Sequence, residues 1–320
     1  MDELLRRLAG ACLVTMCVCC GTALSQPYPS KPIRFIVGFP PGGGADTVAR
    51  LLSKHLTDSW GATFVIENRP GADSAIASEL AAKSPPDGYT IVMVTNAHTI
   101  TPFQRELAYD PVKDFTPVTL VATGPNFLLV HPSLPVKSVK ELIALAKAKP
   151  GWMNFGSSGT GTSPYLAMEL LKSMTGVKMV HVPYKGTGLA VIDLIGGQIQ
   201  LMFGAISTTL PFIKTGRLKV LAVSSRRRIG LAPDVPPVGD TLPGFEAATW
   251  YGVLAPARVP NEIIQKLHSG MYAVLQLPEA RAYLATLGFD PTGEGPSEFA
   301  DIIRADLDKW GKVIRNLPPS

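Results

Sequence analysis

Short apolar runs rich in β-branched residues alternate along this chain with longer segments whose apolar residues recur every three or four positions. The first run is Ile33 to Phe39, whose unbroken hydrophobicity reads as a buried parallel strand. Pro40 and Pro41 end it, because neither can donate a ladder hydrogen bond. Gly42, Gly43 and Gly44 then free the backbone, and Asp46 or Thr47 is expected to cap a helix that runs past Arg50 to near Trp60. A strand, a glycine turn and a helix N-terminus together predict a point that favours an anion.

The same alternation continues. Strands are expected at Thr63 to Glu67, Tyr89 to Thr95 and Asp114 to Ala122, with a further apolar run at Phe127 to His131. Asn96, Ala97 and His98 follow the carboxyl end of one of these strands, where open α/β sheets place ligands. Ser138 and Glu141 form a capping box for the next helix. Met153 to Gly156 then opens a second copy of the first design. A loop of serines, threonines and glycines spans 157–163, and Pro164 starts a helix reaching about Thr175. Strands at Val180 to Val182, Ile199 to Phe203, Lys219 to Ser224 and Trp250 to Ala255 follow, and two amphipathic helices, Asn261 to Leu275 and Ser297 to Arg315, close the chain. This order predicts an α/β protein with mainly parallel sheets. It also predicts two lobes, 26–125 with 226–320 and 126–225, joined by two hinge crossings near 122–127 and 224–226. A cleft between lobes is a preferred small-ligand site.

Composition adds bounds. The 320 residues are 46% hydrophobic and 17% charged, which implies a sizeable core rather than disorder. The net charge of +5 is scattered apart from Arg226, Arg227 and Arg228, so it suits attraction of small anions and gives no nucleic-acid footprint. Residues 1–25 read as a cleaved signal peptide. Arg6 and Arg7 supply its positive start, Leu8 to Cys20 is too short to span a bilayer, and Ala23-Leu24-Ser25 offers small residues for cleavage. All four cysteines fall inside it, so the mature chain, expected to be exported, has no thiol chemistry. A lipid anchor at Cys20 fits the preceding Cys17-Val18-Cys19 poorly.

Several chemistries fail on inspection. A P-loop needs a lysine that no glycine run here provides, and a dinucleotide fingerprint meets Thr47 where its third glycine belongs, although Glu67 ends the second strand. An exported serine hydrolase is the rival reading, with Ser157 or Ser158 as nucleophile and His98, His131 or His181 as base. Thr160, however, stands where a nucleophile elbow needs glycine. The five histidines show no paired metal-ligand spacing, so no metal or organic cofactor is expected. Hydroxyls of Thr160, Thr162 and Ser163 suit carboxylate oxygens, directly or through water. Tyr165 and Tyr184 either line such a cavity or pack in a core.

The segments YPSKPIRFIVGFPPGGGADTVAR, IENRPGAD, PPDGYTIVM, NFGSSGTGTSPYLA, HVPYKG, DLIGGQI, GFEAATWYGVLAPA and PSEFADIIRADLDKWGKVI resemble the Bug, or TctC-like, family of extracytoplasmic solute receptors. The resemblance covers essentially all of 26–316. It implies a type II periplasmic binding protein fold, with two α/β lobes whose cleft closes on one small carboxylate. It also implies a monomer that serves subunits of a tripartite tricarboxylate transporter, or a sensor without a transport partner. Carried over by motif, the ligand-binding residues are Phe39, Gly43, Gly44 and Asp46 in one lobe, and Ser158, Thr160, Gly161, Thr162 and Ser163 in the other. Ala72, Asn96, Ala97 and Tyr184 are added as cleft neighbours. Two departures stand out: Tyr165 where many relatives have histidine, and Phe203-Gly204 where many have Phe-Asp. The missing acid implies a less negative wall and a plain organic acid rather than an amino acid as ligand.

Overall fold

The computed structural model describes residues 28–157, 159, 162–184 and 187–315. The expected signal peptide with its cysteines, and Ser158, Thr160 and Gly161, lie outside the described residues. The chain divides into Met1–Ser30 and the body Lys31–Ser320, and the fold below is that of the body.

In chain order the elements are β1 (Ile33–Val37), α1 (Gly44–Trp60), β2 (Phe64–Asn68), α2 (Ala75–Ala82), β3 (Thr90–Thr95), α3 (Ala97–Ile100), β4 (Phe115–Gly124), β5 (Asn126–Val130), α4 (Val139–Ala148) and β6 (Asn154–Ser157). They continue with α5 (Ser163–Thr175), β7 (Val180–Pro183), α6 (Thr187–Ile195), β8 (Leu201–Ala205), α7 (Ile206–Lys214), β9 (Lys219–Val223), β10 (Thr249–Pro256), α8 (Asn261–Gln276), α9 (Pro278–Thr286), β11 (Asp290–Pro291) and α10 (Pro296–Arg315). One sheet has the order β11-β4-β10-β3-β1-β2 and the other β7-β6-β8-β5-β9. These are two α/β lobes, joined where β4 leads into β5 and where the chain leaves β9 for β10. Ser138 caps α4, accepting from the Glu141 amide at 3.2 Å, while Glu141 accepts from the Lys137 amide at 2.8 Å.

The sheets are mixed, not mainly parallel. β1 pairs in parallel with β2 and β3, and β6 with β7 and β8. β10 runs antiparallel to β3 and β4, and β5 antiparallel to β8 and β9. Parallel neighbours need a crossover connection. β5 and β10 enter from the other lobe and carry no such requirement. Three elements have no counterpart among the sequence expectations: the short α3, which follows β3, α9, which Pro278 opens in its first turn, and the two-residue β11, which pairs with β4. α7 starts at Ile206, just past the strand end where the pattern suggests a loop.

The two crossings touch. Asn126 donates its amide to Ser224 Oγ at 2.8 Å, and the Ser224 amide donates to Asn126 O at 2.9 Å. The last helix reaches two cores. Phe299 and Ile303 pack in the cluster under β10 with Val92 and Leu254. Trp310 and Val313 pack with Phe155, Phe203 and Leu166 of the second sheet's lobe, where Val238, Phe245 and Ala247 also lie. Gly252 permits the first contact, since a Cβ there would fall 2.1 Å from Phe299 Cζ. Asp306 anchors the helix midway. Its Oδ2 accepts from Trp250 Nε1 at 2.6 Å and from Thr99 Oγ1 at 3.4 Å, and Lys309 Nζ stands 2.6 Å from Oδ1. Asp306→Ala strands a buried indole N–H, so urea unfolding should show a loss of about 2–3 kcal/mol, whereas Asp308→Ala on the exposed face should stay within about 0.5 kcal/mol of the parent.

Candidate functional site

The turn after β1 is set by one carboxylate. Asp46 does not cap α1, and neither does Thr47; the N-cap is Gly43, in extended backbone, and helical residues begin at Gly44. Asp46, in the first turn, reaches back: its Oδ2 accepts from the Gly42 amide at 2.8 Å and from Arg50 Nε at 2.8 Å, and its Oδ1 accepts from Asn68 Nδ2 at 2.9 Å. Asn68 Nδ2 also donates to Phe39 O at 3.0 Å. Gly42 needs its flexibility, with φ of 79°. Burial pushes the Asp46 carboxyl up, and the hydrogen bonds from Arg50, Gly42 and Asn68 outweigh it, leaving the group below its usual range. The amides of Gly42 and Gly43 are thereby occupied, the latter on Pro40 O at 3.3 Å. First-turn amides without an intrahelical partner then fall at Gly44, Ala45 and Asp46.

The first two of these residues, Gly44 and Ala45, line a cavity of about 360 Å³, within the range of small-molecule sites. The cavity brings together Phe39, Gly43, Gly44, Asn96 and Ala97 from one lobe with Thr162 and Ser163 from the other, all seven of them expected from sequence. The second lobe contributes the start of α5. There Gly159, with φ of 135°, is a node: its carbonyl accepts from Thr162 Oγ1 at 2.7 Å and Ser157 Oγ at 3.1 Å. Tyr251, which burial pushes up to about 12, stands beside Gly44, where a Cβ would lie 2.6 Å from its hydroxyl. Asp73, Gln104, Thr95, Ile100, Thr101, Thr249, Pro40 and Ala45 complete the lining and were missed. Asp73 and Ala45 sit beside predicted residues. Tyr251 and Thr249 had no local signal, since only the return of β10 beside β3 brings them in.

Other expected residues fall elsewhere. Asp46 is a buried brace behind the turn, not part of the lining. Ala72 packs against the core cluster of the first lobe while its neighbour Asp73 lines the cavity. Tyr184 donates its hydroxyl to Asp193 at 2.7 Å and packs beside Ala190 and Val191, so it belongs to a core. Gly204 does not line the cavity: a Cβ there would meet Thr209 at 3.0 Å and Leu129 at 3.1 Å. The missing acid at 204 therefore leaves this wall unchanged, and the cavity does contain an acid, Asp73.

The residues of the rival chemistry are partly placed. Ser157 Oγ lies 2.7 Å from His181 Nε2, but Ser157 is fully buried and holds the Gly159 loop. Burial, with Lys172 nearby, lowers the His181 pKa. His98 is a core residue, bonded to Pro111 O at 2.8 Å and pushed down to about 4 by burial. Glu67 is paired with Arg34 and Arg69 and held at about 2, which leaves no free acid for a ribose. Among the described residues no group of three or more His, Cys, Asp or Glu is placed to hold a metal, and no helix is long and apolar enough to cross a membrane.

The family model for the tripartite tricarboxylate transporter family receptor matches residues 48–318. The chain belongs to this family. Protein BugT of Bordetella pertussis is 34% identical over 295 residues, 91% of this chain and 90% of BugT. An R. palustris protein solved with adipate is 35% identical, with a TM-score of 0.73 over 90% of this chain and 97% of that one. MatC from Rhodopseudomonas palustris, with bound malate, is 30% identical, with a TM-score of 0.70 over 90% of this chain and 100% of that one. A TctC solute-binding protein from Polaromonas with no ligand is 26% identical, yet its TM-score is 0.84 over 91% of this chain and 100% of that one. The receptor has the two-lobed periplasmic binding fold of these neighbours.

The Asp46 brace is testable in this receptor. A carboxyl held below its unfolded pKa of 3.8 stabilises the fold above that pH and loses the contribution as pH falls through the folded value. Asp46→Asn should lower stability at pH 7 by about 1–2 kcal/mol. The gap from the parent, followed by chemical denaturation, should narrow below about pH 4 as the native carboxyl takes up its proton.

Proposed function

We propose that this receptor captures a small organic carboxylate between its lobes by hinge closure, and does no chemistry on it. One observation carries the reading: the N-terminal turns of α1 and α5, from different sheets, line a single cavity. Each supplies unpartnered amides and a positive helix end. No Lys or Arg is among the described lining residues, so the anion is held by amides, hydroxyls and the Asn96 amide group. The bound adipate and malate of two relatives support the ligand class.

The site residues are Phe39, Gly43, Gly44, Asn96, Ala97, Thr162 and Ser163, joined by Tyr251, with Ser158, Thr160 and Gly161 of the same loop. The lobes are assigned as 26–125 with 226–320 and 126–225. Closure bends the paired crossings at Asn126 and Ser224. Closure excludes water and so strengthens each hydrogen bond. The closed monomer, in the periplasm after loss of residues 1–25, hands its cargo to membrane subunits of a tripartite tricarboxylate-type transporter.

Thermal shift and calorimetry over straight-chain and branched mono-, di- and tricarboxylates test the reading. A ligand at 100 times its Kd should add about 2.7 kcal/mol. Gly44→Ala drives a methyl into Tyr251 and Phe289, the latter ring atom being 3.0 Å from the added Cβ, and should weaken that ligand at least about tenfold. No shift and no heat with any acid would end the proposal. Ester turnover that disappears in Ser158→Ala would favour a hydrolase instead.

A further inference from the structure

Asp73 is the one formally charged residue among the described lining residues of the cleft. It is held there against the backbone's preference. Ala72, Asp73 and Ser74 have φ of 49°, 54° and 73°, three consecutive non-glycine residues in the left-handed region. Such residues are rare singly, because a side chain in this region crowds its own backbone. Ser74 is pressed against Gly38, where a Cβ would lie 2.0 Å from its hydroxyl. That hydroxyl is buried with no hydrogen-bond partner. Two unfavourable features thus surround the one acid in the cavity. Arg105 Nη2 bonds Asp73 Oδ2 at 2.9 Å, and the two side chains are 43% and 59% exposed. The guanidinium engages the carboxylate through Oδ2, and the residue lines the cavity.

An anion seated on the α1 and α5 termini has an acid as its neighbour. A second ligand carboxylate facing Asp73 is repelled and an ammonium attracted, each less strongly than beside an unpaired acid because Arg105 shares the carboxylate. We infer that Asp73 is a specificity-determining residue that selects a carboxylate carrying a protonated amino group at its other end over a dicarboxylate of the same length. This inference rests on the carboxylate reading above and deepens it. It replaces the expectation, drawn from Gly204, of a plain organic acid.

Calorimetry with pentanoate, 5-aminopentanoate and glutarate, and with their four- and six-carbon counterparts, tests it. In at least one length the parent should bind the amino acid about tenfold more tightly than either the plain acid or the diacid. Asp73→Asn keeps the left-handed turn, which asparagine tolerates. It should remove the amino preference and improve the diacid relative to the plain acid. Arg105→Gln frees Oδ2 and should retain or tighten amino-acid binding. A parent that prefers the diacid at every length, or an Asp73→Asn variant with unchanged ranking, overturns the inference and leaves the carboxylate receptor standing. Failure of every acid to bind removes both.

Discussion

A single buried carboxylate sets the geometry on which the cleft depends. From Phe39 to Gly44 the chain is one phenylalanine, two prolines and three glycines, with no polar side chain of its own to hold the turn. Asp46 ties the turn to Arg50 on its own helix and to Asn68 at the end of β2, and Asn68 in turn holds the carbonyl of Phe39. The turn, the helix start and the neighbouring strand end become one rigid corner. Gly44 and Ala45 are therefore held at the cavity wall in advance, which lessens the ordering entropy that binding there would cost.

Topology supplies the facing half. β1 and β6 each lie in a parallel trio and each ends in a glycine-bearing loop that opens a helix. The same local arrangement thus occurs once per lobe. The antiparallel strands β5 and β10, fed from across the interlobe junction, let the two sheets join without a crossover helix. They also place Tyr251 and Thr249 beside the first corner.

Legibility followed locality. The first strand, its glycine turn, the Ser138 cap and the start of α5 were readable because each is decided within a few residues. The cleft residues attached to those features were readable with them. Tyr184 and Gly204 were misplaced because their surroundings, Asp193 for one and Leu129 with Thr209 for the other, belong to packing that no local pattern announces. Asp46 matters as a brace rather than as a ligand contact, because its spacing to Gly42 suits an amide bond behind the turn as well as a contact in front of it. Asp73 went unread because three left-handed non-glycine residues contradict every local preference.

The last helix has a mechanical meaning. With Phe299 in one core and Trp310 in the other, α10 is a rod pinned at two points to two bodies. A helix resists stretching far more than the side chains around it resist turning. Any rearrangement of one core against the other must carry α10 along or break its packing at one end, a constraint additional to the two peptide crossings.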